Sequence, residues 1–428
     1  MRNFYLLDTI RDQKQYDESV LDILKAELDQ RIYNYGDQFK HPYENIRGFS
    51  AYKNAMMMAM RSIMLKTKIQ RSSHSAKNGS KAIVSSAYFS ANREMRSLGY
   101  RILSPPWGSS RDVEIMPSLE LYAAYERLNA SLEKSSFAEL FSKKADQEIH
   151  EFSELLDLAF MQMDIRALVL SNDMNVMERI AINRFRALRR PSVIFLHGLP
   201  GRYNKFDDGR TDHLVVWGPR IKENYVKAGH DPKRIFVSGH PYYKQLTVRE
   251  IKYSLDRILV LTKSMNGGQH SGGVILTDRG NLIGYLLSIQ GALKALGVKS
   301  VRFRPHPSEN GEWYHRFVDK EFFVLEKAPL VQALEDSSVV IGPTSTVMLE
   351  AFYHGRHYQV FEPVRDGKCM DNYPVCPPFD GADPRIPVAK TEDELRVFLK
   401  ERRSADISFW NDYIATPFNL DFMKELVT

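Results

Sequence analysis

Thr344, Ser345 and Thr346 follow Gly342-Pro343 at the end of the buried-looking run SSVVI (337–341) and precede a helical pattern, starting near Val347, that stops at Gly355. A strand, a turn of small residues and a helix start bring unsatisfied backbone N–H groups and the positive end of a helix dipole to one spot, which is an anion site. The three hydroxyls add donors for a phosphate. Glu350, a little over one turn into the helix, is placed to accept from a ribose diol; the plainer reading is a capped helix with a solvated acid. Arg302, Arg304 and His306 alternate along VRFRPHP (301–307), so a regular strand sets all three on one face. Pro305 and Pro307 hold the chain extended where that strand ends. Cationic groups there suit a phosphate whose negative charge grows as it leaves; Arg302 is the weaker of the two arginine candidates.

In the first half, Asp173 stands between a strand, LVLS (168–171), and a helix, either as an N-cap or as a carboxylate facing a crevice. His197 and Gly198 close the next strand and make His197 a candidate base or ligand contact. Glu94, in the helix after KAIVSS (81–86), and His240, in Gly239-His240-Pro241, are weaker candidates. Asp207 and Asp208 precede Gly209 in a basic loop and read as a turn, because no third acid or histidine falls at ligand spacing. We therefore expect no metal and no other cofactor.

These candidates share one position: each follows a short apolar run. KAIVSS (81–86), RALVLS (166–171), SVIFLHG (192–198), HLVVWG (213–218) and RIFVSG (234–239) read as buried parallel strands, which need helices on both faces. The helix over 175–190, with Val176, Ile180, Ala181 and Phe185 at helical spacing, is one such cover. After residues 240–256 the rhythm restarts with RILVLT, SVRFRPHP, EFFVLEK, SSVVIGP and HYQVFEP. The expectation is two doubly wound, Rossmann-like α/β domains facing a cleft, with ligands at the carboxyl ends of the strands. Domain one is set at residues 1–245, with a helical cover over 1–80; domain two at 246–402; closing helices at 403–428. Met56, Met57, Met58 and Met60 in the cover read as packing residues rather than a cofactor box.

Composition narrows the function classes. Over 428 residues, 59 Lys+Arg against 53 Asp+Glu leave a net charge of +6, too dilute for a nucleic-acid binder, and zinc-finger spacing and RNP motifs are absent. The basic stretches at 60–81 and 184–190 read as solvated faces or as a patch for an anionic membrane or polysaccharide. Cys369 and Cys376 are too few for a disulfide framework and read as inert thiols of a reducing compartment. No apolar run approaches a membrane span and the N-terminus lacks a signal core, so a cytoplasmic protein is expected, with peripheral association at the inner face of a membrane left open.

At these residues the chain resembles the GT-B glycosyltransferases, and among them bacterial enzymes that use CMP-activated ulosonic acids, Kdo or sialic acid, in capsule and lipopolysaccharide O-antigen synthesis. The resemblance runs over about residues 80–400. It rests on His306-Pro307 as an HP motif and Thr344, Ser345 and Thr346 as a Ser/Thr motif, both of which contact CMP in polysialyltransferase-like families. Asp173 and His197 look like the N-terminal strand ends of Kdo transferases, where an acid does the chemistry. The Thr-Ser-Thr departs from the family's double serine, and similar turns occur in teichoic-acid polyol-phosphate polymerases and in relatives that bind UDP sugars. The resemblance implies a metal-independent glycosyltransferase. Arg304, His306, Pro307, Thr344, Ser345, Thr346 and Glu350 would bind the nucleotide, Asp173 or His197 would serve as base or nucleophile, and His306 would stabilise the leaving phosphate. The resemblance further implies a bacterial surface glycan or glycolipid as the acceptor, and a polysaccharide assembly complex as a partner left open. Open alternatives are a polyol-phosphate transferase using a CDP-polyol, a UDP-sugar transferase or epimerase, and a non-catalytic glycan- or nucleotide-binding module.

Overall fold

The computed structural model describes residues 81–427 apart from 87–90, 109–112, 135–141, 172, 174–175, 202, 204–209, 244–245, 247–250, 264–278, 308, 310, 365–368 and 371–374; of residues 1–80 it describes Val20, Ile23, Met60, Ile63, Met64, Lys66, Thr67 and Ile69. Most of the expected helical cover, including Met56, Met57 and Met58, lies outside the described residues.

Two all-parallel sheets organise the chain. The first has seven strands: β1 (Ala82–Ser85), β2 (Arg101–Ser104), β3 (Glu114–Ile115), β4 (Ile165–Leu170), β5 (Ser192–Phe195), β6 (His213–Val216) and β7 (Ile235–Val237), in the order β3-β2-β1-β4-β5-β6-β7. The second has six: β8 (Ile258–Leu261), β9 (Val301–Arg304), β10 (Phe323–Leu325), β11 (Val339–Gly342), β12 (His357–Phe361) and β13 (Val388–Ala389), in the order β10-β9-β8-β11-β12-β13. Both orders are doubly wound, as expected. Each has its reversal of direction between its first and fourth strands, β1/β4 and β8/β11, where crevices open in such sheets. The pattern missed β2, a four-residue strand second from the edge, and the two-residue edge strands β3 and β13.

Alternation along the strands decides which core each face joins. In the first sheet Ala82, Val84, Leu103, Leu168 and Leu170 pack under the helices Leu119–Lys134, Lys143–Gln162 and Val176–Ala187. Ile83, Ile102, Ala167 and Val169 point the other way, onto Met95 and onto Leu420, Met423 and Val427 from the C-terminal segment. In the second sheet Ile258, Val260, Phe303 and Ile341 pack under the helices Arg279–Ala295 and Glu392–Glu401. Leu259, Val340 and Val360 instead join Leu214, Val216, Trp217 and Tyr225 of the first unit, so one apolar cluster spans both sheets.

The C-terminal segment seals that seam. After the helix Glu392–Glu401 belonging to the second unit, two short helices follow, Trp410–Tyr413 and Phe422–Leu426. Trp410, Tyr413 and Ile414 enter the shared cluster, and the chain then crosses to the first sheet. There the Ala415 N–H donates to Trp217 O at 2.8 Å and the Asn419 N–H to Ser238 O at 2.8 Å. The crossing needs a glycine: Gly239 has φ +77°, and a Cβ there would sit 2.3 Å from Ala415 O. No helix among the described residues is long and apolar enough to cross a membrane. Because left-handed backbone and overpacking both add strain, Gly239→Ala is expected to destabilise the protein by about 2–5 kcal/mol, read as a lowered denaturant midpoint.

Candidate functional site

The chemistry-bearing residues collect at the two reversals. At the β1/β4 end, Ser171 and Asp173 continue β4 into the helix Val176–Ala187, whose first turn supplies Glu178 and Arg179. All three charged side chains are buried there, Asp173 and Glu178 with only 4% and 6% exposure. Arg210, from the end of the β5–β6 loop, places Nη1 3.2 Å from Asp173 Oδ1. Burial raises the Asp173 carboxyl above the usual range, while the Arg210 and Arg179 guanidiniums pull it back down. Glu178 is pushed up to about 8 by burial and then by the Asp173 charge, with the Trp107 indole acting in the opposite direction. Burial and the Asp173 charge thus favour the proton on Glu178, while the two guanidiniums favour ionisation at Asp173.

His197, directly beyond β5, turns toward the same cluster. Its Nδ1 lies 2.8 Å from Ser171 O, and a carbonyl accepts only from a protonated ring nitrogen. That bond sets the tautomer in which Nε2 carries the lone pair, the form a base needs. Glu94 is half-buried in the first turn of the helix Asn92–Ser97, after β1. His240 belongs elsewhere. It is buried, stacks on Tyr243 at 4.2 Å and meets Trp217 edge-on at 4.6 Å. Desolvation lowers its pKa to about 4. It is a neutral member of the seam.

At the β8/β11 end the Thr344–Ser345–Thr346 turn leads into the helix Val347–Tyr353. Gly342 is needed before it, since a Cβ there would sit 2.1 Å from the Tyr358 hydroxyl that donates to Pro343 O. The three hydroxyls have different partners. Ser345 Oγ accepts from the Val347 N–H at 3.3 Å, a local cap. Thr346 Oγ1 accepts from the Leu199 N–H at 2.8 Å, two residues beyond His197, so the two halves of the cleft touch at this point. The Thr344 N–H and hydroxyl both donate to Glu362, which follows β12 with no exposure at all. Lys263, two residues past β8, places Nζ 3.0 Å from Glu362 Oε1 and 3.3 Å from Thr344 Oγ1. Lys263 and Glu362 are absent from the candidates read from the sequence; their signal is the shared one, a polar residue at a strand end.

The His306-Pro307 turn is fixed from behind. The His306 N–H donates to Thr262 Oγ1 at 3.0 Å, and Glu309 accepts from Thr262 Oγ1 at 2.7 Å and from the Tyr314 hydroxyl at 2.8 Å. His306 is half-buried and Pro307 exposed. The neighbouring arginines are tied to the framework: Arg302 binds Glu326 Oε2 at 3.1 Å and Ala333 O at 3.2 Å, and Arg304 donates to Ala328 O. The expected three-cation face is therefore two framework arginines beside one histidine. Glu350 sits against the Tyr243 phenol, and burial raises its pKa while that hydroxyl lowers it. Asp207 and Asp208 lie outside the described residues. Among the described residues no group of three or more His, Cys, Asp and Glu side chains is placed to hold a metal ion. Cys369 and Cys376 are free thiols, and Cys376 Sγ donates to Pro200 O at 3.4 Å across the cleft.

No family model matches the chain, and no curated protein matches it. Among solved structures it is similar to the UDP-GlcNAc 2-epimerase of Methanocaldococcus jannaschii, at 10% identity, 81% of this chain, 98% of that chain and TM-score 0.45. It is also similar to the lipopolysaccharide outer core galactosyltransferase WaaB, at 10% identity, 80% and 96% coverage and TM-score 0.42. A third is the wall teichoic acid polymerase TagF, at 13% identity, 86% and 93% coverage and TM-score 0.37. None of these three is a CMP-ulosonic-acid transferase.

The Glu178 proton has a measurable consequence. Its folded pKa, about 8, lies above the ordinary value of 4.5, so the folded state binds more protons between those values and stability falls as pH rises through that window. Glu178→Gln removes the dependence. Its melting temperature relative to the unmutated protein is expected to climb from about pH 4.5 to about pH 8 and then level off.

Proposed function

We propose that the chain is a glycosyltransferase acting on a nucleotide-activated sugar, with the nucleotide at the β8/β11 end and the reacting sugar carbon at the β1/β4 end. One observation supports this above the rest: the 2.8 Å bond from the Leu199 N–H to Thr346 Oγ1 sets the Thr344–Thr346 turn against the loop that carries His197. A phosphate held at that turn leaves its sugar pointing at His197 and Asp173. As the bond from the anomeric carbon to the phosphate oxygen breaks, charge grows on the phosphate, where Ser345 and His306 are positioned to donate. His197, through Nε2, takes the proton of the attacking acceptor hydroxyl, or Asp173 attacks the anomeric carbon itself.

For the donor, His306-Pro307 and the Thr-Ser-Thr turn favour a CMP-activated ulosonic acid. A UDP-sugar enzyme, transferase or epimerase, is the second reading, and the Asp173–Glu178 pair favours it. A charged carboxylate beside a protonated one can take a proton from one position and return one to another, which inversion of a sugar stereocentre requires.

Nucleotide release from CMP-Kdo, CMP-sialic acid, CDP-glycerol and UDP-GlcNAc, each with and without a glycan acceptor, separates the readings. The expected result is CMP release that needs acceptor, persists in EDTA, and drops by about 10²–10⁴-fold in Asp173→Asn. Conversion of UDP-GlcNAc without acceptor selects the epimerase. Binding of nucleotide with no turnover of any donor overturns the enzymatic reading.

A further inference from the structure

Lys263 and Glu362 form an ion pair that packing alone does not require, because a buried pair gains little over apolar residues of similar size. Their place in the fold is specific. Lys263 follows β8 and Thr344 follows β11, the two strands that flank the reversal of the second sheet, and Glu362 follows β12 next door. Strand ends at such a reversal are where ligands bind in sheets of this kind. Glu362 Oε1 and Oε2 lie 3.0 and 3.1 Å from Lys263 Nζ, and Oε2 takes the Thr344 N–H at 3.0 Å and the Thr344 hydroxyl at 2.8 Å. Oε1 also takes the Met370 N–H at 3.1 Å. Lys263 is 12% exposed at its side chain, Glu362 not at all. The carboxylate is thus the fixed base, and the ammonium and the Thr344 turn are held against its cleft side.

We propose that Lys263 is the cation that binds the nucleotide phosphate, with Glu362 as the residue that positions it. This rests on the reading of the β8/β11 end as a nucleotide site. Arg302 and Arg304, the cations first expected there, are bonded to Glu326, Ala333 O and Ala328 O. An ammonium has three donors. Two can stay on the Glu362 oxygens while a phosphate oxygen replaces Thr344 Oγ1, 3.3 Å away, as acceptor for the third. Since Glu362 already fixes the Lys263 rotamer, little side-chain freedom is lost on binding.

Isothermal titration of CMP and UDP, each against its nucleoside, tests the assignment. Lys263→Met alone leaves a buried unpaired carboxylate and risks unfolding, so the decisive variant is Lys263→Met with Glu362→Gln, which removes both charges together. Loss of a charged hydrogen bond predicts nucleotide binding at least about tenfold weaker, with cytidine or uridine binding unchanged, and Lys263→Arg restoring part of the loss. If the unmutated protein binds CMP or UDP and the folded double variant binds it equally well, or loses nucleoside in proportion, the role of Lys263 is overturned and the nucleotide site stands. If the unmutated protein binds neither CMP nor UDP, both assignments fall.

Discussion

The apolar seam between the two sheets is the constraint on which the cleft depends. Leu214, Val216, Trp217 and Tyr225 from one unit and Leu259, Val340, Val360 and Phe352 from the other form one buried cluster, closed by Trp410, Tyr413 and Ile414. Because the seam joins the flanks of the two sheets, their carboxyl ends are held toward a common space. It also explains why the chain returns. Without the stretch from Trp410 to Val427, Trp217 would lose the backbone partner on its carbonyl, and Ile83, Val169 and Phe195 would lose the cover given by Leu420, Met423 and Val427. The neutral His240, packed between Trp217 and Tyr243, is part of this assembly. A charged imidazole there would have to be desolvated, which is why its proton affinity is low.

Against that rigid seam the two strand ends handle charge differently. At β8/β11 the ammonium and carboxylate of Lys263 and Glu362 cancel, and every oxygen of Glu362 has a donor. At β1/β4 the cancellation is incomplete and a proton takes part. Burial raises the pKa of both carboxyls, and the guanidiniums of Arg210 and Arg179 oppose that rise at Asp173, so the proton is favoured on Glu178. Under the proposed reading the first end is a fixed scaffold for an anion. The second is a pair that can exchange a proton with whatever enters.

Strand runs and their polar ends were legible because a buried parallel strand has to be apolar and its end, facing the cleft, does not. Asp173, His197, Thr344 and His306 were found that way. Lys263 follows the same rule after β8, and was passed over because a single lysine beside a strand carries no motif. Glu362 hides its role further: next to Phe361 and Pro363 it looks like an ordinary edge acid, and its burial depends on Lys263, about a hundred positions earlier in the chain. Glu178 sits two residues after Val176 in a helix whose apolar spacing draws attention to other positions. Alternation put Arg302 and Arg304 on one face, as expected; what it does not show is that the loop after β10 and the helix Leu330–Glu335 offer carbonyls and Glu326 to that face.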